Sequence, residues 1–158
     1  MVESDNLTAE LVLKIIGFES NQLQGDWENG LVEVRKFLND IVGLDTTSFS
    51  ITDGSGISRY NYSSPNHFVR TLSWAYKNKS IKNNFINTLP RGGEEGTLKE
   101  RDLPSNAYMK TGSLSGVSTL SGYIINNSSE PIVFSILMNG FEGSVSYTHL
   151  TLPTKRIV

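Results

Sequence analysis

Ser4-Asp5-Asn6 and Lys110-Thr111-Gly112 are the strings of this chain whose residue types could do chemistry together. A serine hydroxyl at the entrance to a helix can relay a proton, and an asparagine carboxamide two positions on can hold a carbonyl. Lys110 offers an ammonium that would hold a substrate carboxylate and favour deprotonation of a nearby hydroxyl. Thr111 adds a hydroxyl donor, and Gly112 has no side chain to keep a ligand off the backbone. The N–H of Ser113, next in line, is then free to stabilise an oxyanion, often the largest electrostatic contribution to acyl transfer. The missing component is a nucleophile. No Ser-x-x-Lys, the usual companion of such strings in serine acyl transfer, occurs in the 158 residues.

Each string alone has an ordinary explanation. Three small polar residues before an apolar run form a standard helix N-cap cluster. A lysine entering a strand is commonly a solvated edge charge, and a glycine there a bulge. The case for chemistry rests on the two together, so it depends on the elements that would bring them into one place.

Leu7, Leu11, Val12, Ile15 and Ile16 recur at helical spacing, predicting a helix over 7–17 that ends at Gly17. Leu31, Val34, Leu38 and Ile41 predict a second helix stopping at Gly43. Phe49–Thr52 reads as a short strand before the turn-forming Asp53-Gly54-Ser55-Gly56. Ser64-Pro65 opens a third helix that carries Phe68, Val69, Leu72 and Tyr76. Leu89–Asn106 is expected to be an ordered loop. From Lys110 onward the period changes. Val117–Ile125 and Ile132–Met138, with the polar Asn126-Asn127-Ser128-Ser129 between them, predict an antiparallel hairpin. Helices first and strands afterwards argue for an α+β fold, helices packed on an antiparallel sheet. Trp27, Trp74 and Tyr76 are read as packing residues, His67 as a surface residue, Glu94-Glu95 as a solvated pair, and Arg59 as a buried ion-pair partner.

Bulk properties exclude other chemistries. A formal charge of −2 provides no basic field for nucleic acid. Zero cysteines and two distant histidines, His67 and His149, argue against a metal site or a His-based triad, and no cofactor is expected. No apolar run approaches the ~20 residues of a membrane span. The acidic start Met1-Val2-Glu3-Ser4-Asp5 is not a signal peptide.

Four strings in order carry a family resemblance: Glu3–Glu10, Asp53–Arg59, Gly93–Leu98 and Met109–Leu114. Over roughly residues 3–142 the chain resembles the carboxy-terminal part of the class C low-molecular-mass penicillin-binding proteins, the serine D-alanyl-D-alanine carboxypeptidases and endopeptidases. The S-D-N and K-T-G strings are shared across the penicillin-recognising superfamily; Asp53–Arg59 and Gly93–Leu98 point to this branch. The resemblance implies part of the penicillin-binding/β-lactamase-like transpeptidase fold, incomplete at both ends. It implies a peptidoglycan stem peptide ending in D-Ala-D-Ala as substrate, β-lactams as inhibitors, and action outside the cytoplasmic membrane. By the same resemblance Ser4 is the relay hydroxyl between the general base and Lys110, and Asn6 binds the peptide carbonyl. Lys110 and Thr111 hold the terminal carboxylate, and the nucleophile and its lysine lie upstream of Met1.

Two rivals remain. A class A β-lactamase needs a deacylating glutamate in a Glu-x-x-Leu-Asn string; Leu38-Asn39 is present, but Arg35 holds the glutamate position. A non-catalytic module that binds peptidoglycan peptides would also lack Ser-x-x-Lys. Residues 1–143 are assigned to the carboxypeptidase-like domain. Residues 144–158, with neither a clean period nor a closing turn, resemble a translated adapter and are read as a non-native tail.

Overall fold

The computed structural model describes residues 1–21, 25–126 and 130–141. Among the described residues four α-helices precede three strands: α1 Asn6–Asn21, α2 Trp27–Asp40, α3 Pro65–Lys77, α4 Lys82–Thr88, β1 Ala107–Leu114, β2 Val117–Ile124 and β3 Ile132–Asn139. The strands form one antiparallel sheet in the order β1-β2-β3, the α+β arrangement that the pattern predicts.

α1 runs past Gly17, where the sequence predicts its end. A Cβ at Gly17 would lie 2.7 Å from the Gly30 backbone nitrogen, and one at Gly30 would collide with the Leu13 carbonyl. Here glycine lets two helices cross at backbone contact, and this packing outweighs its poor helix propensity. α2 carries the predicted apolar face and ends near Gly43, whose N–H bonds the Asn39 carbonyl at 3.1 Å.

The strand predicted at Phe49–Thr52 reduces to a single bridge, Ser50 with Tyr62. Its polar groups go to side chains instead: the Thr52 N–H donates to Asn61 Oδ1 at 2.8 Å. α3 starts where Ser64-Pro65 places it, and His67 has a structural role at that start. Its Nδ1 accepts the Ser64 N–H at 3.3 Å, and its ring meets Phe49 edge-on.

The sheet core has two parts. On one face Tyr123, fully buried, packs with Leu72, Ile86 and Leu89, and its hydroxyl donates to the Leu72 carbonyl at 2.7 Å. Burial raises the Tyr123 pKa, with the neighbouring Tyr76 adding to the shift, so this phenol stays protonated and can make that donated bond. On the other face Leu98, Ala107, Met109 and Leu120 form a second buried cluster. The predicted loop 89–106 is ordered because it inserts Leu98 there with no exposure. The polar turn predicted at Asn126–Ser129 lies largely outside the described residues, as does the whole of 144–158.

Trp74 packs edge-on against Phe37 at 4.9 Å, as a packing residue should. Trp27 instead lies half-exposed; its Nε1 donates to Glu10 at 2.8 Å and the Lys14 ammonium sits over its ring. Arg59 is exposed rather than buried in an ion pair, and it donates to the Ser115 carbonyl at 3.2 Å. Glu94 pairs with Arg91 at 3.1 Å. Replacing Gly30 by alanine should lower stability by about 1–3 kcal/mol through overpacking at the α1–α2 crossing. Thermal unfolding checks this, and an unchanged midpoint would mean that the helices do not meet at Gly30.

Candidate active site

The first string straddles the start of α1, and its middle residue is the cap. Asp5 Oδ2 accepts the Thr8 N–H at 2.8 Å and also the Thr8 hydroxyl, the bonds that hold the Asp5 pKa below the ordinary carboxylate value. The capping and chemical readings of Ser4-Asp5-Asn6 therefore coexist. Asp5 folds back over the helix end while remaining exposed, as are Ser4 and Asn6 on either side of it. Ser4 itself has φ +53, a left-handed conformation uncommon for a residue with a Cβ. Its N–H closes a turn onto the Met1 carbonyl at 3.2 Å.

The second string sits in the middle of β1, not at a strand entrance. Lys110 pairs with Ser121, Thr111 with Leu120, Gly112 with Thr119 and Ser113 with Ser118. Gly112 serves the sheet as well as any ligand, because a Cβ there would lie 2.5 Å from the Thr119 hydroxyl. The Met109 N–H leaves the sheet to bond the Pro90 carbonyl at 3.0 Å. Backbone groups of alternate residues in an antiparallel strand point the same way. The Thr111 and Ser113 N–H groups therefore face the outer edge of β1, beyond the stretch that Pro90 covers.

The two strings meet. Lys110 Nζ donates to Ser4 Oγ at 2.7 Å across 106 positions of sequence, and to the Thr111 carbonyl at 2.7 Å. An ammonium has three N–H donors, so one remains for a ligand. Half-burial desolvates the Lys110 ammonium and lowers its pKa from 10.5, so it gives up a proton more readily than a solvated lysine. Thr111 Oγ1 lies 2.8 Å from Thr97 Oγ1, a partner that the residue types alone did not reveal. Asn6 is exposed in the first turn of α1, and Ser113 is exposed near the end of β1.

Two further residues support this arrangement. Glu10 accepts the Ser55 N–H at 2.8 Å and the Gly54 N–H at 3.2 Å, tying the Asp53 turn to α1. Burial would raise its pKa, but these bonds and that from Trp27 outweigh it and hold the carboxylate ionised. Asp53 in turn accepts the Ser58 N–H at 2.6 Å and the Gly56 N–H at 2.8 Å, so the Asp53–Arg59 string is a structural turn beside the hairpin.

Comparison with known proteins gives this geometry a family. Residues 1–151 match the model of the D-Ala-D-Ala carboxypeptidase 3 (S13) family. The chain belongs to that family. As an S13 chain it is 37% identical over 149 residues to the D-alanyl-D-alanine carboxypeptidase of Actinomadura sp. strain R39, covering 89% of this chain and 27% of that protein. It is 30% identical over 147 residues to the D-alanyl-D-alanine carboxypeptidase DacB of Haemophilus influenzae, covering 89% and 30%. Among solved structures, penicillin binding protein 4 of Haemophilus influenzae superposes with a TM-score of 0.81 at 29% identity, covering 92% of this chain and 33% of that one. The same protein in complex with a β-lactam gives 0.78. This S13 chain thus spans about a third of the length of the relatives it matches.

The depressed Lys110 pKa makes a test. The unfolded chain binds more protons between that lowered pKa and 10.5, so stability should rise with pH across this window. An NMR titration of the Lys110 side chain should show a midpoint below 10.5. A midpoint at or above that value would remove desolvation as the governing effect.

Proposed function

We propose that this chain forms two walls of the active site of a serine-type D-alanyl-D-alanine carboxypeptidase and endopeptidase. That enzyme cleaves peptidoglycan stem peptides through an acyl-enzyme outside the cytoplasmic membrane. The observation that carries the reading is the Lys110–Ser4 hydrogen bond of 2.7 Å, which joins the two chemically competent strings. Ser4 relays a proton between the general base and Lys110, while Asn6 holds the peptide carbonyl of the substrate. Lys110 and Thr111 receive the terminal carboxylate, and Gly112 keeps the backbone there unobstructed. Ser113 supplies an oxyanion N–H from the outer edge of β1. That same free edge offers backbone partners to an extended peptide.

The acyl group must be taken by a serine that is not among these residues. In this reading Ser-x-x-Lys belongs to another part of a longer polypeptide, in keeping with relatives of which this chain covers about 30%. Exposed apolar residues along α1, Leu7, Leu11 and Ile15, suit a surface that further chain would cover. No helix among the described residues is long and apolar enough to cross a membrane.

A β-lactamase is disfavoured because the deacylating position holds Arg35, whose guanidinium donates to the Ile51 carbonyl at 2.5 Å and cannot act as a base. A non-catalytic binding module gains one observation: the 158 residues contain no Ser-x-x-Lys. The test has two parts. The 158-residue chain should form no covalent adduct with labelled penicillin by mass spectrometry. The full-length gene product should form one, and its Lys110→Ala variant should lose both acylation and D-alanine release, by about two orders of magnitude or more. Retained D-alanine release would sink the assignment of Lys110, and a full-length product that never acylates would favour the binding module.

A further inference from the structure

Three consecutive residues, Gly96, Thr97 and Leu98, each touch a different part of the structure. Gly96 has φ +50, and a Cβ there would lie 2.5 Å from the Val2 carbonyl, so its bare backbone lies against the segment that leads into Ser4. Thr97 places Oγ1 2.8 Å from Thr111 Oγ1. Leu98 is fully buried against the Ala107, Met109 and Leu120 cluster beneath β1. Backbone bonds hold the turn rigid: the Leu98 N–H meets the Glu95 carbonyl at 3.0 Å, and the Gly93 N–H meets the Leu98 carbonyl at 3.2 Å.

We propose that the Gly96–Leu98 turn is a clamp that sets the Ser4 wall against the Lys110 wall, and that Thr97 is a positioning residue that aims the Thr111 hydroxyl at a ligand carboxylate. The proposal rests on the reading of Lys110 and Thr111 as the carboxylate site. A threonine hydroxyl has one proton to donate and two lone pairs to accept with. If Thr111 donated to Thr97, that proton would be lost to the ligand. With Thr97 as donor, the Thr111 oxygen accepts and its own proton turns outward, beside the third N–H of the Lys110 ammonium. Thr97 O–H to Thr111 O–H to carboxylate is then one chain in which each bond polarises the next. The clamp explains why the anchor is apolar and the lead residue is glycine. Leu98 fixes the height of the turn against the sheet, and Gly96 lets the Val2 segment approach to backbone contact.

The experiment titrates the 158-residue chain with N-acetyl-D-Ala-D-Ala and with its C-terminal amide, followed by NMR. The wild-type chain should prefer the acid. Thr97→Val is isosteric, and its methyl spectrum reports whether the fold is kept. It should cut affinity for the acid by about fivefold to tenfold, in the range of one hydrogen bond to a charged group, and leave the amide unchanged. Thr97→Ser, which restores the donor, should restore the preference; it also serves as the second variant if valine disturbs the turn. Combining Thr97→Val with Thr111→Val should lose no more than Thr111→Val alone, because Thr97 acts through Thr111. An unchanged acid-to-amide ratio in Thr97→Val, or losses that simply add, would overturn the positioning role. A wild-type chain that does not distinguish acid from amide would instead overturn the carboxylate reading of Lys110 and Thr111, and this proposal with it.

Discussion

The hydrogen bond from Lys110 to Ser4 is the contact that the packing of the other elements must make possible. A lysine side chain is long and rich in rotamers, so an exposed contact of this kind contributes little stability by itself. The ends of the bond must therefore be brought together by other means. At one end, α1 is set by its glycine crossing with α2 and by Glu10, which takes two N–H groups of the Asp53 turn. At the other, β1 is held between β2 and the bond from Met109 to Pro90. The Gly96–Leu98 turn connects the two by touching Val2 on one side and β1 on the other. The proposed chemistry lies in two short strings, and α1, β1 and the turns that hold them set the distance between them.

Electrostatics and packing agree at this junction. Half-burial makes the Lys110 ammonium costly, and its two hydrogen bonds are what keep that cost tolerable. The same desolvation makes the ammonium a readier proton donor to the oxygen beside it than a solvated lysine would be. The positive φ of Ser4 adds local backbone strain at the other end of the bond. Strain of that kind persists where surrounding contacts over-determine a residue, and the Asp5 cap and the turn to Met1 do so here.

Ser4, Asn6, Lys110, Thr111, Gly112 and Ser113 could be nominated from the two strings read together, because a hydroxyl, an amide and an ammonium in those strings suit a proton relay, a held carbonyl and a held carboxylate. Thr97 could not be nominated. A threonine in a Gly-rich loop has no period and no unusual chemistry, and only its contact with Thr111 distinguishes it. Arg59 failed for a related reason: charge and spacing suggested an ion pair, but exposure lets a backbone carbonyl satisfy it. Gly17 shows the opposite error, in which a local breaker was overruled by a helix crossing invisible along the chain.

The sequence by itself determined the α+β order, the α3 start, the β2–β3 pairing and the identity of the two chemical strings, because each follows from local periodicity, capping or turn chemistry. Tertiary structure decided where α1 ends, that K-T-G lies mid-strand with Ser113 at the outer edge, and that Ser4 meets Lys110 at 2.7 Å. It also decided that Leu98 seats the clamp and Thr97 partners Thr111. The physical reason is one of range. Periodicity and capping act over a few residues, whereas a contact spanning 106 positions is set by the summed packing of every element between its ends.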